Sequence, residues 1–233
     1  MVTEEAILKK WNRWFDVIYN DVVTLHYYRM IYRDVGSMVG ANPAIQKPSS
    51  FYDLLGRGYV TMAAIMIRRQ VDNGKDCISL VRLLSDISNH PEEISRRRFH
   101  KFYESHGFSE AQIDGDFEAA GVEAGRDFVD LERVDSDVKE LKQVTASLRK
   151  YTNKTVAHID VRQQMTSVPT FDDLDDSIDA LARLCGKYSI LLRGEGIAFF
   201  EPVIQYDWQA VFRVAWIMGE PGVQAQRREP HVS

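Results

Sequence analysis

Residues 149–160 (RKYTNKTVAHID) bring a histidine, an amide and several cations within helical reach of one another. Histidine is the side chain whose unperturbed pKa lies near neutrality, so His158 could act as an acid or a base. Partial burial beside lysines can tune such a group further. This stretch is therefore the first candidate for a functional site, and the remaining elements are read as its scaffold.

A helical projection predicts that His158 lies at the boundary between core and water. At 100° per residue, Tyr151, Lys154 and His158 line the edge of one apolar stripe. The apolar residues of that stripe are Leu141, Val144, Leu148 and Ile159. A histidine at such an edge can also be a satisfied structural residue, and the pattern leaves that alternative open.

The segment 152–160 (TNKTVAHID) resembles the signature of the HEPN superfamily, in which an arginine precedes a histidine on a helix and a polar residue follows the arginine. Asn153 matches the polar residue, and residues 157–160 (AHID) match the usual ending. Three further stretches, 63–72, 79–84 and 170–174, resemble the abortive-infection U-type branch of that superfamily. The resemblance covers roughly residues 5–195.

This resemblance implies a fold, a chemistry and partners. The fold is an all-α HEPN-like bundle of about five to seven helices, which forms a homodimer. The setting is prokaryotic phage defence or a toxin–antitoxin system, with RNA, an antitoxin or another protein as partner. Active members of the superfamily are metal-independent endoribonucleases that leave 2′,3′-cyclic phosphate ends.

For this chain, the resemblance assigns His158 as acid or base and Asn153 as an orienting group. Lys154 or Arg149 would supply the charge that develops at phosphorus. The set expected to bind RNA comprises Arg149, Lys150, Tyr151, Arg68 and Arg69. The alternatives are a non-catalytic HEPN protein that binds RNA, a nucleotide or a protein partner, and a purely structural helical domain.

The chain departs from the family pattern where the arginine is expected, six residues before His158, because Thr152 stands there. Arg149 lies nine residues before His158, on the opposite face of a straight helix. A lysine is a point donor and not a planar fork, so Lys154 is no equal replacement at a phosphate. The departure favours the non-catalytic alternative.

The composition is that of a globular domain, with 45% hydrophobic and 27% charged residues among 233. A net charge of −5 argues against a general polyanion binder, so local cationic clusters matter more. One such cluster, residues 96–98, is flanked by glutamates and is typical of a solvated helix face. With no signal-peptide pattern and no apolar run long enough for a membrane, we expect a cytoplasmic protein without membrane contact.

Neither a metal site nor a cofactor is expected. The two cysteines, Cys77 and Cys185, form no CxxC pattern, and phosphate-binding glycine motifs are missing. The aspartates of residues 172–176 are better explained by helix capping than by metal binding.

Periodicity and capping signals predict a series of helices. Residues 107–125 are either a short helix or an irregular insertion. The predicted helices are 4–35, 51–73, 77–88, 91–106, 128–162, 171–192 and 206–218. The predicted organisation is a HEPN-like domain at 1–195, an extension at 196–218 that packs on the bundle, and a disordered tail at 219–233.

Overall fold

The computed structural model describes residues 4–156, 169–214 and 216. Within these ranges every regular element is helical, which confirms the predicted all-α class, and one isolated β-bridge joins Ser95 to Phe128. The chain divides into two compact units, Met1–Pro202 and Val203–Ser233. None of the helices in the described ranges combines the length and the apolar character of a membrane span.

The described residues of the first unit form eight α-helices. A 3₁₀ turn, Pro91–Glu93, precedes the fourth helix, and a π-helical turn, Thr152–Val156, follows the seventh. The α-helices are α1 Glu4–Ala41, α2 Ser50–Gln70, α3 Leu80–Asn89, α4 Arg96–Lys101, α5 Glu110–Ala119, α6 Leu131–Val144, α7 Ala146–Tyr151 and α8 Phe171–Arg193.

The core lies where α1, α2, α3, α6 and α8 meet. Each of these helices has an apolar face at helical spacing, and burying those faces against one another is the main driving force for the bundle. Trp11 of α1 is fully buried, and its Nε1 donates to Asp86 Oδ2 of α3 at 2.6 Å. Tyr188 of α8 is also fully buried, and its hydroxyl donates to Asp137 Oδ2 of α6 at 2.8 Å.

Local capping signals predicted α8 well. The side chain of Thr170 accepts from the Asp173 backbone N–H, and the Asp173 carboxylate accepts from the Thr170 backbone N–H, as a capping box requires. Gly194 ends the helix in the left-handed region, with φ of 69°. The same reciprocal pair, Ser109 with Gln112, begins α5, so the insertion at 107–125 contains a short helix.

Other helix ends differ from the prediction. Gly36 and Gly40 lie within α1, which continues to Ala41, because glycine weakens a helix without ending it. The helix ends two residues before Pro43, where the proline ring disfavours helical geometry. The helix α3 begins after Ser79, whose Oγ accepts from Arg82 N, and not at residue 77. The long helix predicted at 91–106 is instead a 3₁₀ turn, Pro91–Glu93, followed by α4, which has six residues.

The helix predicted over 128–162 is interrupted, which matters for the site. Thr145, fully buried, donates from Oγ1 to the Leu141 carbonyl oxygen at 2.7 Å and separates α6 from α7. A threonine that bonds back to the carbonyl four residues earlier bends a helix. After Tyr151 the backbone changes to the π-helical turn. One straight 100° projection therefore does not apply along this segment.

The second unit holds a 3₁₀ helix, Trp208–Arg213, within its described residues. The α-helix predicted from residue 206 is wrong over this stretch. Three aromatic side chains of the unit contact in series, Trp208 with Phe212 at 6.0 Å and Phe212 with Trp216 at 5.7 Å between ring centroids. The predicted extension at 196–218, its packing and the disordered tail stay predictions.

Candidate functional site

The segment formed by α7 and the π-helical turn packs against α2. Thr152, which stands where the family pattern has arginine, is only 3% exposed. Its Oγ1 donates to the Leu148 carbonyl oxygen at 2.7 Å and lies 3.4 Å from the carbonyl oxygen of Ala64 in α2. The side chain at position 152 therefore points into the protein interior and not toward a ligand.

Asn153, the next residue, is exposed and contacts an arginine of α2. Arg68 Nε donates to Asn153 Oδ1 at 2.7 Å. Ala64 and Arg68 are four residues apart and so lie on one face of α2. On that face, Ala64 contacts Thr152 and Arg68 contacts Asn153. A guanidinium group therefore reaches the motif segment, residues 149–160, from a different helix.

Sequence reasoning named Arg68 and Asn153 separately and missed their contact. They are 85 residues apart, and nothing local in either stretch predicts which side chain of α2 faces the motif. The four-residue spacing of Ala64 and Arg68 places both on one face of a helix, but it does not show which segment packs against that face. The contact is a product of tertiary packing.

Several cations lie close to Asn153, either in the same segment of the chain or, for Arg68, in direct contact with it. Within the described residues, Arg68, Arg149 and Lys154 have no carboxylate at ion-pair distance. Lys150 is exposed in the same segment. By contrast, the arginines with carboxylate partners include Arg29, Arg33, Arg69, Arg96, Arg183 and Arg193. The described residues thus form a local cationic surface, defined by Arg68, Arg149, Lys150 and Lys154.

Two residues of the predicted RNA-binding set have other contacts. Arg69 lies next to Arg68, but its guanidinium pairs with Asp21 of α1 at 2.5 Å. Gln70 Nε2 donates to the other carboxylate oxygen of Asp21 at 2.5 Å, which holds this pair against α1. Tyr151 is half-buried and packs against the core. RNA contacts by Arg69 and Tyr151 stay predictions.

His158 lies outside the described residues, so its predicted place at the core boundary and its catalytic role stay predictions. The π-helical turn before it bears on that prediction, because a π turn closes hydrogen bonds five residues apart and not four. Such turns occur mostly as single insertions in α-helices and often at functional sites. The projection at 100° per residue, which put Leu148 and Ile159 on one stripe, therefore does not hold across residues 152–156.

The other cationic cluster, residues 96–98, has structural partners. Arg96 pairs with Asp114 at 2.6 Å and Glu118 at 3.1 Å, which ties α4 to α5. Arg98 donates to the Leu192 carbonyl oxygen at 2.8 Å. These contacts stabilise the fold near the end of α8 and leave the surface around Asn153 as the stronger candidate for an anion.

Burial keeps two titratable groups of the core, His26 and Cys185, in their neutral forms near pH 7. Burial, with Arg29 beside it, lowers the pKa of His26 to about 4. Burial raises the pKa of the Cys185 thiol to about 12, so this thiol is inert as a nucleophile. The hydrogen bonds of its capping box lower the pKa of Asp173, which supports capping as the role of this aspartate. Among the described residues, no three histidine, cysteine or acidic side chains are grouped to hold a metal ion.

Comparison with known families identifies the chain. The family model described as AbiU2, a HEPN family, matches residues 8–211 and so ends beyond residue 195, where the resemblance inferred from the sequence stops. Comparisons with curated proteins and with solved structures gave no significant match. The matched range includes α2, α7 and the π-helical turn, which form the candidate site. The chain therefore belongs to the AbiU2 family of abortive-infection HEPN proteins.

Proposed function

We propose that this protein binds RNA at the cationic surface around Asn153 and cleaves it without a metal ion. The observation that carries the proposal is the group of cations Arg68, Arg149 and Lys154, which have no carboxylate at ion-pair distance among the described residues. In a chain of net charge −5, a local group of cations still produces a positive field that attracts an anion. A phosphodiester is the anion that RNA provides.

The proposed reaction is an internal transfer at phosphorus. The ribose 2′-oxygen forms a bond to the adjacent phosphorus, and the bond from phosphorus to the 5′-oxygen of the next nucleotide breaks. A base takes the 2′-hydroxyl proton, and an acid gives a proton to the leaving 5′-oxygen. His158 is proposed for one of these roles, and a second copy of the chain in a homodimer would supply the other. The products are a 2′,3′-cyclic phosphate end and a 5′-hydroxyl end.

The cations would act on the charge that builds up during the transfer. The non-bridging oxygens of phosphorus carry more negative charge in the transition state than in the substrate, so a fixed cation lowers the barrier. Removing one such donor typically lowers the rate by about 10²- to 10³-fold. Lys154 and Arg68 are the candidates on the described surface.

The alternative is a HEPN protein that binds RNA, a nucleotide or a protein such as an antitoxin without cleaving anything. The buried position of Thr152 favours this alternative, since position 152 offers no guanidinium group to a substrate. Both functions use the same surface, so they differ in products and not in the residues that bind.

The deciding experiment incubates the purified protein with total RNA in EDTA and analyses the fragment ends. We expect 2′,3′-cyclic phosphate ends with the wild type and none with His158→Ala. Arg57→Gln is a surface control that should cleave like the wild type, because Arg57 is an exposed arginine of α2, eleven residues before Arg68. Equal cleavage by wild type and His158→Ala would refute the proposed role of His158. Binding of RNA without cleavage would leave the non-catalytic alternative.

A further inference from the structure

We infer that Arg68 of α2 is a phosphate clamp, with Asn153 as the residue that positions it and with a phosphodiester of single-stranded RNA as its ligand. The inference rests on the proposed function and adds to it the group that grips the phosphate. It starts from one contact, the hydrogen bond of 2.7 Å from Arg68 Nε to Asn153 Oδ1.

The atoms used in this contact leave the binding edge of the guanidinium group available. A guanidinium group has five N–H donors in one plane, and the Nε–H is the single donor on its stem side. Asn153 occupies this donor, so the two terminal nitrogens keep four N–H groups in a fork. A fork of this kind matches two oxygens of a phosphate, which a lysine ammonium group cannot do.

The partner of Arg68 is neutral, and this has an electrostatic consequence. The adjacent Arg69 is held by the carboxylate of Asp21, which offsets its charge. An amide oxygen fixes the direction of Arg68 and leaves its full positive charge for a ligand. Because Oδ1 of Asn153 accepts from Arg68, the Asn153 amide NH₂ is the end that remains to donate.

The packing below this contact explains why α2 provides the clamp. Ala64 is fully buried and small, and the Thr152 side chain lies against its carbonyl oxygen. This close approach sets the distance between α2 and the π-helical turn. One helical turn further along the same face, Arg68 is then beside Asn153. Arg149 and Lys154 flank the contact in sequence and add charge that favours an anion over a neutral ligand.

The test uses a substitution that keeps the contact and removes the free charge. Asn153→Asp retains an oxygen acceptor for Arg68 and turns the contact into an ion pair, so thermal stability should stay equal or rise. Affinity for a fluorescently labelled single-stranded RNA oligonucleotide should nevertheless fall roughly 10- to 100-fold. A contact that lies away from the bound RNA would predict no loss of affinity. Arg68→Lys, which keeps the charge but not the fork, should lose affinity as well.

Salt dependence gives a second readout that folding defects do not imitate. Arg68→Gln should reduce the slope of log affinity against log salt by about 0.7, the value for one phosphate contact on a single strand. Arg57→Gln makes the same charge change on α2 and should leave affinity and slope unchanged. Thermal unfolding of each variant identifies any that fails to fold.

The outcomes separate the inference from the proposed function. Wild-type binding of RNA with unchanged affinity in Asn153→Asp and Arg68→Lys would overturn the clamp and leave the proposed function in place. If the wild type binds inorganic phosphate or a mononucleotide with the same dependence on these variants but does not bind RNA, the RNA ligand and the proposed function are both refuted. Binding of none of the three probes would overturn both proposals.

Discussion

Replacing Thr152 with arginine restores the family pattern and tests whether the cation of this site has moved to α2. A protein in which position 152 faced the ligand would gain a guanidinium group and activity. In this structure Thr152 is 3% exposed and bonds to the Leu148 carbonyl oxygen, beside Ala64. We therefore expect Thr152→Arg to lose stability and to gain no RNA cleavage.

The magnitude follows from two contributions. The lost hydrogen bond from Thr152 Oγ1 to Leu148 costs about 1 kcal/mol. The longer side chain must either enter a packed region or push the π-helical turn away from α2, and overpacking costs about 1–3 kcal/mol. The sum is roughly 2–4 kcal/mol, against a total stability of about 5–15 kcal/mol for a typical domain. Thr152→Val keeps the shape and should lose only the hydrogen bond, about 1 kcal/mol.

The assay is urea unfolding followed by circular dichroism, with RNA cleavage measured on the same samples. We expect the order of stability to be wild type, Thr152→Val and then Thr152→Arg. The reasoning is refuted if Thr152→Arg is as stable as the wild type and cleaves RNA faster. That result would mean that position 152 reaches the ligand.

Two further predictions concern buried charge and pH. Asp137→Ala removes the 8%-exposed carboxylate that accepts from Lys187 Nζ at 2.6 Å, and it should cost about 3–5 kcal/mol in urea unfolding. The exposed pair of Arg183 with Glu140 is the control, since Arg183→Gln should cost less than about 1 kcal/mol, and equal losses would contradict the argument. His26 has a pKa of about 4 in the folded state against 6.5, so the unfolded state binds more protons between these values and the protein loses stability as the pH is lowered through this range. The loss in the free energy of unfolding is up to roughly 3 kcal/mol. In His26→Asn this free energy should depend less on pH between 6.5 and 4, and an unchanged pH dependence would rule out His26 as its source.

The parts of the fold that the sequence predicted are those with local signals. The capping box at Thr170 and Asp173 and the left-handed Gly194 lie within one turn of the helix ends that they determine. The interruption at Thr145 was missed, because threonine also occurs in unbroken helices. Only the packing that buries Thr145 and turns its hydroxyl to Leu141 shows the bend. Helix existence was thus predictable, while helix continuity depended on tertiary structure.

In the candidate site, too, the residue types could be predicted from the sequence, whereas the contacts between them depend on tertiary packing. The residue types of 149–160 predicted acid–base chemistry and positive charge, and the surface around Asn153 carries that charge. What the types did not predict is which cation serves Asn153, because Arg68 and Arg69 are equivalent in sequence. Their partners, Asn153 and Asp21, are chosen by the rotation of α2 against the motif segment and α1. A turn of 100° along one helix separates an arginine with free charge from one that is neutralised.

Moving the cation from the motif helix to α2 changes what the site depends on. An arginine within the motif would hold its position relative to the histidine through local helix geometry alone. Arg68 holds its position through the packing of α2 on the π-helical turn, with Thr152 and Ala64 at the contact. Any change that separates these elements therefore also alters the charge at Asn153. Because Arg68 reaches Asn153 from another helix, the site responds to any movement of α2. A site with its arginine and histidine on one helix would not depend on α2 in this way.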